Sequence, residues 1–141
     1  MSSEQSESSV LDTGVLLELA FDSPIVEELR NSILSGQIQP VTGELNVTEL
    51  EYLLCRRLGK DRAERVIEYL RSASQFRILQ SSSFLDKAAE MKCARSLSLV
   101  DCVTLAMGES LGSPVLFARR ERELEIEMKK ATFKAKILFM E

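Results

Sequence analysis

A continuous apolar run, Pro114–Ala118 (PVLFA), constrains the possible folds of this chain most strongly. A short run without polar alternation is typical of a strand that is buried on both faces of a parallel sheet. Helical segments separate it from four other predicted strands, too far apart for hairpins, which start near Val10 and cover Gln37–Val41, Phe76–Gln80 and Ile137–Met140. This alternation predicts an α/β fold in which helices cover a parallel sheet.

The helical segments are recognised by apolar residues at helical spacing. The predicted helices are Val15–Ala20, Pro24–Leu34, Asn46–Leu58, Asp61–Ala73, Ser83–Arg95, Ser98–Leu111 and Glu121–Lys130. The polar, serine-rich segment 1–9 is predicted to be a flexible tail, which leaves residues 10–141 as a single domain. The tail carries no basic residue and no stretch is apolar over 18 residues, so we expect neither a signal peptide nor a membrane span.

Composition excludes several classes of chemistry. With 22 acidic and 18 basic residues the net charge is −4, which argues against a broad electrostatic grip on nucleic acid. The chain has no histidine, so Ser-His-Asp and Cys-His nucleophile pairs are excluded, as is zinc held by histidine. Three cysteines without a CxxC pair argue against a disulfide framework and favour a reducing cytoplasm.

Four acidic residues fall where ligands bind in open parallel sheets, past the carboxyl ends of strands and at the starts of helices. Asp12 interrupts the first apolar run, and Glu121 follows the PVLFA strand by three residues. Glu49 and Asp101 each lie three residues after a potential helix cap, Asn46 and Ser98 respectively. These four carboxylates are therefore candidates for one joint site.

Each acid also has a purely structural explanation. Asp12 can cap the helix that follows it, and the spacings of Glu49 and Asp101 match capping boxes. Glu121 lies in a densely charged stretch that is typical of a solvated helix start. Taken singly, structural roles are favoured for Glu49, Asp101 and Glu121, whereas for Asp12 the two readings are equally weighted.

The four acids together point to metal chemistry. Two carboxylates ~4 Å apart repel by about 4 kcal/mol at a surface-like dielectric, so a cluster must protonate, spread apart or hold a cation. Mg²⁺ and Mn²⁺ prefer such hard oxygen ligands and need no histidine. The chemistry that follows is metal-assisted hydrolysis of phosphodiester bonds, in which the ion also bridges an acidic protein and RNA.

These motifs resemble those of the PIN-domain nucleases, and in particular the small prokaryotic VapC toxins. The matching segments run in order across nearly the whole chain after the tail: VLDTGVLLELA, NVTELEYLLCRRLG, SLSLVDCVTLAMGESLG and PVLFARRERELE. The resemblance implies a three-layer α/β/α fold with a central, mostly parallel sheet of about five strands. It also implies an endoribonuclease with a shared acidic pocket for Mg²⁺ or Mn²⁺.

Carried over by position, Asp12, Glu49 and Asp101 match the first three acids of the family, and we expect them to bind the metal. Glu121 is expected to take the fourth catalytic position, and Thr13 lies where the family often has Ser or Thr. Proteins of this type usually form homodimers and are held inactive by a small antitoxin, so the resemblance implies both partners besides RNA.

The fourth position departs from the family pattern, which commonly has an aspartate after a Thr-x pair. Here the segment is Arg119-Arg120-Glu121, with a longer acid and an arginine in place of threonine. These arginines could contact RNA phosphates, or neutralise the pocket in place of a metal. The alternative hypothesis is therefore a degenerate, non-catalytic PIN domain that binds RNA or a protein.

Overall fold

The computed structural model describes residues 6–141, and within this range the chain forms five strands and seven helices. The strands are β1 (Glu7–Leu11), β2 (Ile38–Gly43), β3 (Arg77–Leu79), β4 (Val115–Phe117) and β5 (Ile137–Phe139). The helices are α1 (Thr13–Ala20), α2 (Glu27–Leu34), α3 (Glu44–Leu58), α4 (Lys60–Ser72), α5 (Leu85–Ala94), α6 (Leu99–Leu111) and α7 (Arg122–Lys130). Single 3₁₀ turns, Pro24–Val26 and Ser81–Phe84, lead into α2 and α5.

All strand pairs are parallel, in the order β3-β2-β1-β4-β5. The predicted parallel α/β fold is thereby confirmed. Parallel strands place all their carboxyl ends at one edge of the sheet, and β1 lies at its centre between β2 and β4. Residues that follow β1 and β4 are therefore neighbours in space although more than 100 positions separate them along the chain.

The first strand begins earlier than predicted. Glu7, Ser8 and Ser9, which belong to the predicted tail, pair in parallel with Ile38, Gln39 and Pro40 of β2. Polar composition is a poor guide here because the strand is held by backbone hydrogen bonds to its neighbour, which do not depend on apolar side chains. Residues 1–5 of the predicted tail lie outside the described residues.

Successive residues of a strand point to opposite faces of the sheet, so their side chains pack in two separate apolar layers. Val10 packs with α5, α6 and α7 on one face, whereas the next residue, Leu11, packs with α1 to α4 on the other. Both side chains are completely buried, and burial of an aliphatic side chain of this size contributes roughly 1.5–3 kcal/mol. The sheet is thus covered on both faces, as the unbroken apolar runs predict.

Helix α3 begins before its predicted start. Gly43, rather than Asn46, is the residue at its N-cap, and Asn46 lies inside the first turn. The Asn46 carboxamide oxygen accepts a hydrogen bond from the backbone N–H of Gly43 at 3.3 Å. The polar residue does satisfy the helix start, but it does so from within the helix.

No helix within residues 6–141 is long and apolar enough to cross a membrane.

Candidate functional site

A cavity of about 360 Å³ opens at the carboxyl edge of the sheet. Its walls come from the end of β1, the side of α3, the segment before α6 and the start of α7. The structure brings all four acids to it, and the lining residues are Asp12, Thr13, Gly14, Glu49, Leu53, Ser96, Leu97, Ser98, Asp101, Glu121 and Glu123. The convergence follows from parallel topology, because each acid comes directly after a strand, at the N-cap of a helix or within the first two turns of one.

Asp12 is the most deeply placed of these acids, with only 6% of its surface exposed. It ends β1 and caps α1, where its carboxylate accepts a hydrogen bond from the backbone N–H of Gly14 at 3.3 Å. Burial raises the pKa of Asp12 to about 8, reinforced by the negative charge of Asp101 and, less strongly, of Glu49. The structural role and the cavity position thus coexist in one residue.

Asp101 lies in the first turn of α6, and its backbone N–H donates to the Ser98 hydroxyl at 3.1 Å. The predicted helix cap at Ser98 is confirmed. Burial raises the pKa of Asp101 to about 6, and the charge of Glu121 is the next largest cause. A hydrogen bond to Ser98 partly opposes this shift. Because Glu121 acts on Asp101, the fourth acid belongs to the same electrostatic cluster as the other three.

Glu49 projects from the second turn of α3, and its carboxylate accepts a hydrogen bond from the Tyr52 hydroxyl at 3.4 Å. Because α3 begins at Glu44, Glu49 is too deep in the helix to close a capping box with Asn46. The structural explanation for Glu49 is therefore wrong, which leaves its position in the cavity wall.

Asn46 links the segments around the acids through buried hydrogen bonds, which sequence reasoning missed. It is completely buried, and its amide donates to the hydroxyl of Thr13 at 3.1 Å and of Thr104 at 3.0 Å. These bonds join α3 to α1 beside Asp12 and to α6 one turn after Asp101. The only sequence signal was a polar residue in a buried stripe, and a cap explained it equally well.

Glu121 occupies the N-cap position of α7, and Glu123 in the first turn of that helix also lines the cavity. Glu123 was missed because it lies in a charged stretch that is typical of a solvated helix. Its position two residues after Glu121 was the available signal.

Arg119 and Arg120 do not line the cavity. The Arg119 guanidinium pairs with Glu18 and with Glu141, each at 3.3 Å. Arg120 pairs with Glu125 at 3.8 Å and lies 4.5 Å over the ring of Phe139. Their charges are thus directed to surface carboxylates, so the structure gives no support to the idea that they neutralise the pocket in place of a metal.

The donor set suits a hard divalent cation. No three acidic or thiol side chains of residues 6–141 are placed to hold one ion together. Mg²⁺, however, typically takes one or two protein carboxylates and completes its shell with water and substrate phosphate. Burial, together with the neighbouring carboxylates, raises the pKa values of Asp12 and Asp101, and a cation in the cavity would favour their ionised forms. The residues present therefore fit Mg²⁺ or Mn²⁺.

Comparison with known proteins agrees with this architecture. A family model described as the PIN domain matches residues 9–125. This chain belongs to the PIN domain family. The resemblance seen in the sequence is thereby confirmed, and PIN domains are generally nucleases that use divalent metals. A search of curated proteins found no match.

Several solved structures share the fold of this PIN domain. VapC20 of Mycobacterium tuberculosis, described as a toxin that cleaves the sarcin–ricin loop, is 18% identical, with a TM-score of 0.66 over 84% of this chain and 94% of its own. DNA-bound VapBC of Salmonella typhimurium is 16% identical, with a TM-score of 0.68 over 95% and 98%. FitAcB of Neisseria gonorrhoeae is 15% identical, with a TM-score of 0.62 over 92% and 96%. At these identities the likeness establishes the fold.

Proposed function

We propose that this PIN domain is a metal-dependent endoribonuclease that hydrolyses RNA phosphodiester bonds. The observation that carries the proposal is the convergence of Asp12, Glu49, Asp101 and Glu121 on one cavity, with Asp12 nearly buried. A buried carboxylate surrounded by other carboxylates is costly unless it is protonated or paired with a cation. The membership in a nuclease family and the VapC-like fold support the same activity.

In this proposal Asp12, Glu49 and Asp101 would hold Mg²⁺ or Mn²⁺, one or two of them directly and the others through waters of the ion, and Glu121 would support a second ion or an outer water. A cation held there would supply positive charge to the phosphate and would lower the pKa of the attacking water. Asn46 holds α1, α3 and α6 in register, so that the carboxylates stay oriented. The chain has no histidine to activate a nucleophile, which favours direct hydrolysis without a covalent enzyme intermediate.

We further propose a small antitoxin protein as a partner and a homodimer as the working form, within a reducing cytoplasm. Several structural neighbours are toxin–antitoxin complexes, which supports the antitoxin. We also propose that RNA is contacted by Thr13, Arg119 and Arg120. For the two arginines such contacts require their ion pairs with Glu18, Glu141 and Glu125 to open.

The decisive experiment incubates the purified protein with Mn²⁺ and a set of structured and unstructured RNAs. We expect cleavage by the parent protein and at least about a hundredfold slower cleavage by Asp12→Asn and Asp101→Asn, a loss typical of removing one electrostatic catalytic group. Asp61→Asn is the matched control, since it removes an exposed carboxylate from α4 outside the cavity.

Two results would contradict the nuclease proposal. The first is that no RNA is cut and calorimetry detects no Mn²⁺ binding. The second is that Asp12→Asn and Asp101→Asn cut RNA as fast as Asp61→Asn. If the folded protein bound RNA without cutting it, the degenerate PIN domain would replace the nuclease as the better account.

A further inference from the structure

One side of α3 extends the wall of the cavity into solvent. Glu49, Tyr52, Leu53 and Arg56 recur at the i, i+3, i+4 and i+7 spacing, which places them along one side of the helix. Glu49 and Leu53 line the cavity, whereas Tyr52 and Arg56 are exposed beyond them. Arg56 lies about 10 Å along the helix from Glu49. The same helix therefore presents first an acid and then an aromatic ring and a cation.

The exposed residues are ordered by contacts with one another. The Tyr52 hydroxyl donates to Glu49 at 3.4 Å, and the Arg56 guanidinium lies 5.0 Å from the centre of the Tyr52 ring. Arg57, also exposed, lies 5.7 Å from the ring centre of Phe21 at the end of α1. Each arginine is thus placed over an aromatic side chain, with its planar group held near a surface that can stack.

Arg56 and Arg57 differ from Arg119 and Arg120 in their partners. Within residues 6–141, no carboxylate lies within 4 Å of either α3 arginine. The field of Arg57 reaches Glu18, but that carboxylate is bonded to Arg119. The charges of the two α3 arginines are consequently available to an external anion.

An acidic cavity needs such charges nearby if its substrate is a polyanion. The chain carries a net charge of −4, so phosphates are attracted only where cations are concentrated locally. Exposed aromatic rings beside arginine guanidinium groups suit single-stranded RNA, whose unstacked bases can pack on both.

We propose that Tyr52, Arg56 and Arg57, here named the α3 strip, bind the single-stranded RNA that leads into the cavity. The two arginines contact phosphates, and the Tyr52 ring stacks against a base. This assignment rests on the proposed function for its substrate class. It adds the path by which the strand reaches the acids, and that path differs from the Arg119–Arg120 segment.

Binding can be separated from cleavage in an Asp101→Asn background. We would measure anisotropy of a short fluorescein-labelled single-stranded RNA over a range of salt concentrations, with Arg56→Ala/Arg57→Ala added. We expect about tenfold weaker binding or more, and a plot of log K against log salt that is flatter by about 1.4, since each phosphate contact on a single strand contributes ~0.7. Tyr52→Ala weakens binding severalfold, whereas Tyr52→Phe retains stacking and binds as the parent.

The matched control is Lys129→Ala/Lys136→Ala, which removes two exposed cations that lie at the end of α7 and before β5, away from the cavity. It should bind RNA within twofold of the parent. Arg56→Lys/Arg57→Lys should keep the salt dependence because it keeps both charges. In the cleaving protein, the double alanine variant should raise KM and leave kcat nearly unchanged. Circular dichroism and Tm verify that every variant folds.

The strip is overturned if Arg56→Ala/Arg57→Ala binds RNA no more weakly than Lys129→Ala/Lys136→Ala. If the parent also cleaved RNA, that result would support the nuclease proposal and contradict the proposal that the α3 strip binds RNA. If RNA binding depended on the α3 strip but no RNA were cleaved, the α3-strip proposal would be supported and the nuclease proposal contradicted. A parent that neither binds nor cuts RNA contradicts both.

Discussion

Asp12 and Glu127 are both buried carboxylates, at 6% and 2% exposure, yet their surroundings act in opposite directions. Asp12 faces Asp101 and Glu49, and burial with these like charges raises its pKa to about 8. Burial alone would also raise the pKa of Glu127. Hydrogen bonds from the Ser96 backbone N–H and from Lys130, together with nearby positive charge, instead lower it below its ordinary value.

The difference separates a structural ion pair from a site that lacks its counter-charge. Arg95 approaches Glu127 at 3.9 Å, and its guanidinium also donates to the backbone carbonyl groups of Glu127, Ala131 and Thr132 at the end of α7. In this region the charges of Glu127 and Arg95 both have partners from the chain itself. Among residues 6–141 no cation pairs with Asp12 in this way, so its carboxyl group stays protonated near neutral pH unless a counter-charge comes from outside the chain.

The largest expected effect is that Asp12→Asn stabilises the metal-free protein. The pKa of Asp12 is 3.8 in the ordinary case and about 8 when folded, so folding takes up a proton and stability falls as pH rises through that window. At pH 8 the variant should gain about 3 kcal/mol, or roughly 10 °C in Tm, because its amide still caps α1.

Thermal melts without metal at pH 4 and pH 8 measure this effect. The gain should nearly vanish at pH 4, where Asp12 is protonated in the folded protein. Asp61→Asn, which removes an exposed carboxylate outside the cavity, provides the control and should change Tm only slightly. A destabilised Asp12→Asn at pH 8 would mean that the carboxylate is already compensated within the protein.

Glu127→Gln should have the next largest effect, in the opposite direction. It keeps the shape of the side chain but leaves Arg95, 13% exposed, without its carboxylate, so Tm should fall by several degrees near neutral pH. The folded pKa of Glu127 lies below 4.5, so its contribution is present above about pH 4.5 and is lost as pH falls.

The deficit of Glu127→Gln relative to the parent should accordingly shrink in acid. Glu90→Gln, which removes an exposed carboxylate from α5, should melt like the parent. Equal melting of Glu127→Gln and Glu90→Gln would remove the distinction between the two buried acids.

Adding Mn²⁺ should produce a smaller effect that is confined to the cavity. At about ten times its Kd, a ligand that binds only the folded state adds about 1.4 kcal/mol to the free energy of unfolding. Tm of the parent and of Glu127→Gln should therefore rise by roughly 4 °C. Asp12→Asn should show no rise. A full rise in that variant would place the cation outside the acidic cavity.

Arg119→Ala is expected to have the smallest effect. Its ion pairs with Glu18 and Glu141 are exposed, and such pairs contribute little to stability. Tm and Mn²⁺ affinity, read by calorimetry, should remain close to those of the parent. A marked gain in Mn²⁺ affinity would revive the hypothesis that this arginine neutralises the pocket.

Much of this arrangement could be predicted from the sequence, because its signals are local. Unbroken apolar runs indicate buried parallel strands, and parallel strands bring their carboxyl ends together, which is why Asp12 and Glu121 could be grouped. The start of β1 at Glu7 could not be predicted in the same way, since its serine-rich residues are held by pairing with β2. The roles of Asn46 and Glu123 could not be predicted, because a helix cap explains the asparagine equally well and a solvated helix explains the glutamate.

The kinds of elements, their order and the four acids at their ends follow from the sequence alone, because hydrophobic periodicity and capping act over a few residues. Which charges meet is set by the three-dimensional packing of the chain. It directed Arg119 and Arg120 to surface carboxylates, left Arg56 and Arg57 open to solvent, and gave Glu127 the cations that Asp12 lacks. Electrostatic energies depend on distance and burial in space, and neither is written in the spacing of residues along a chain.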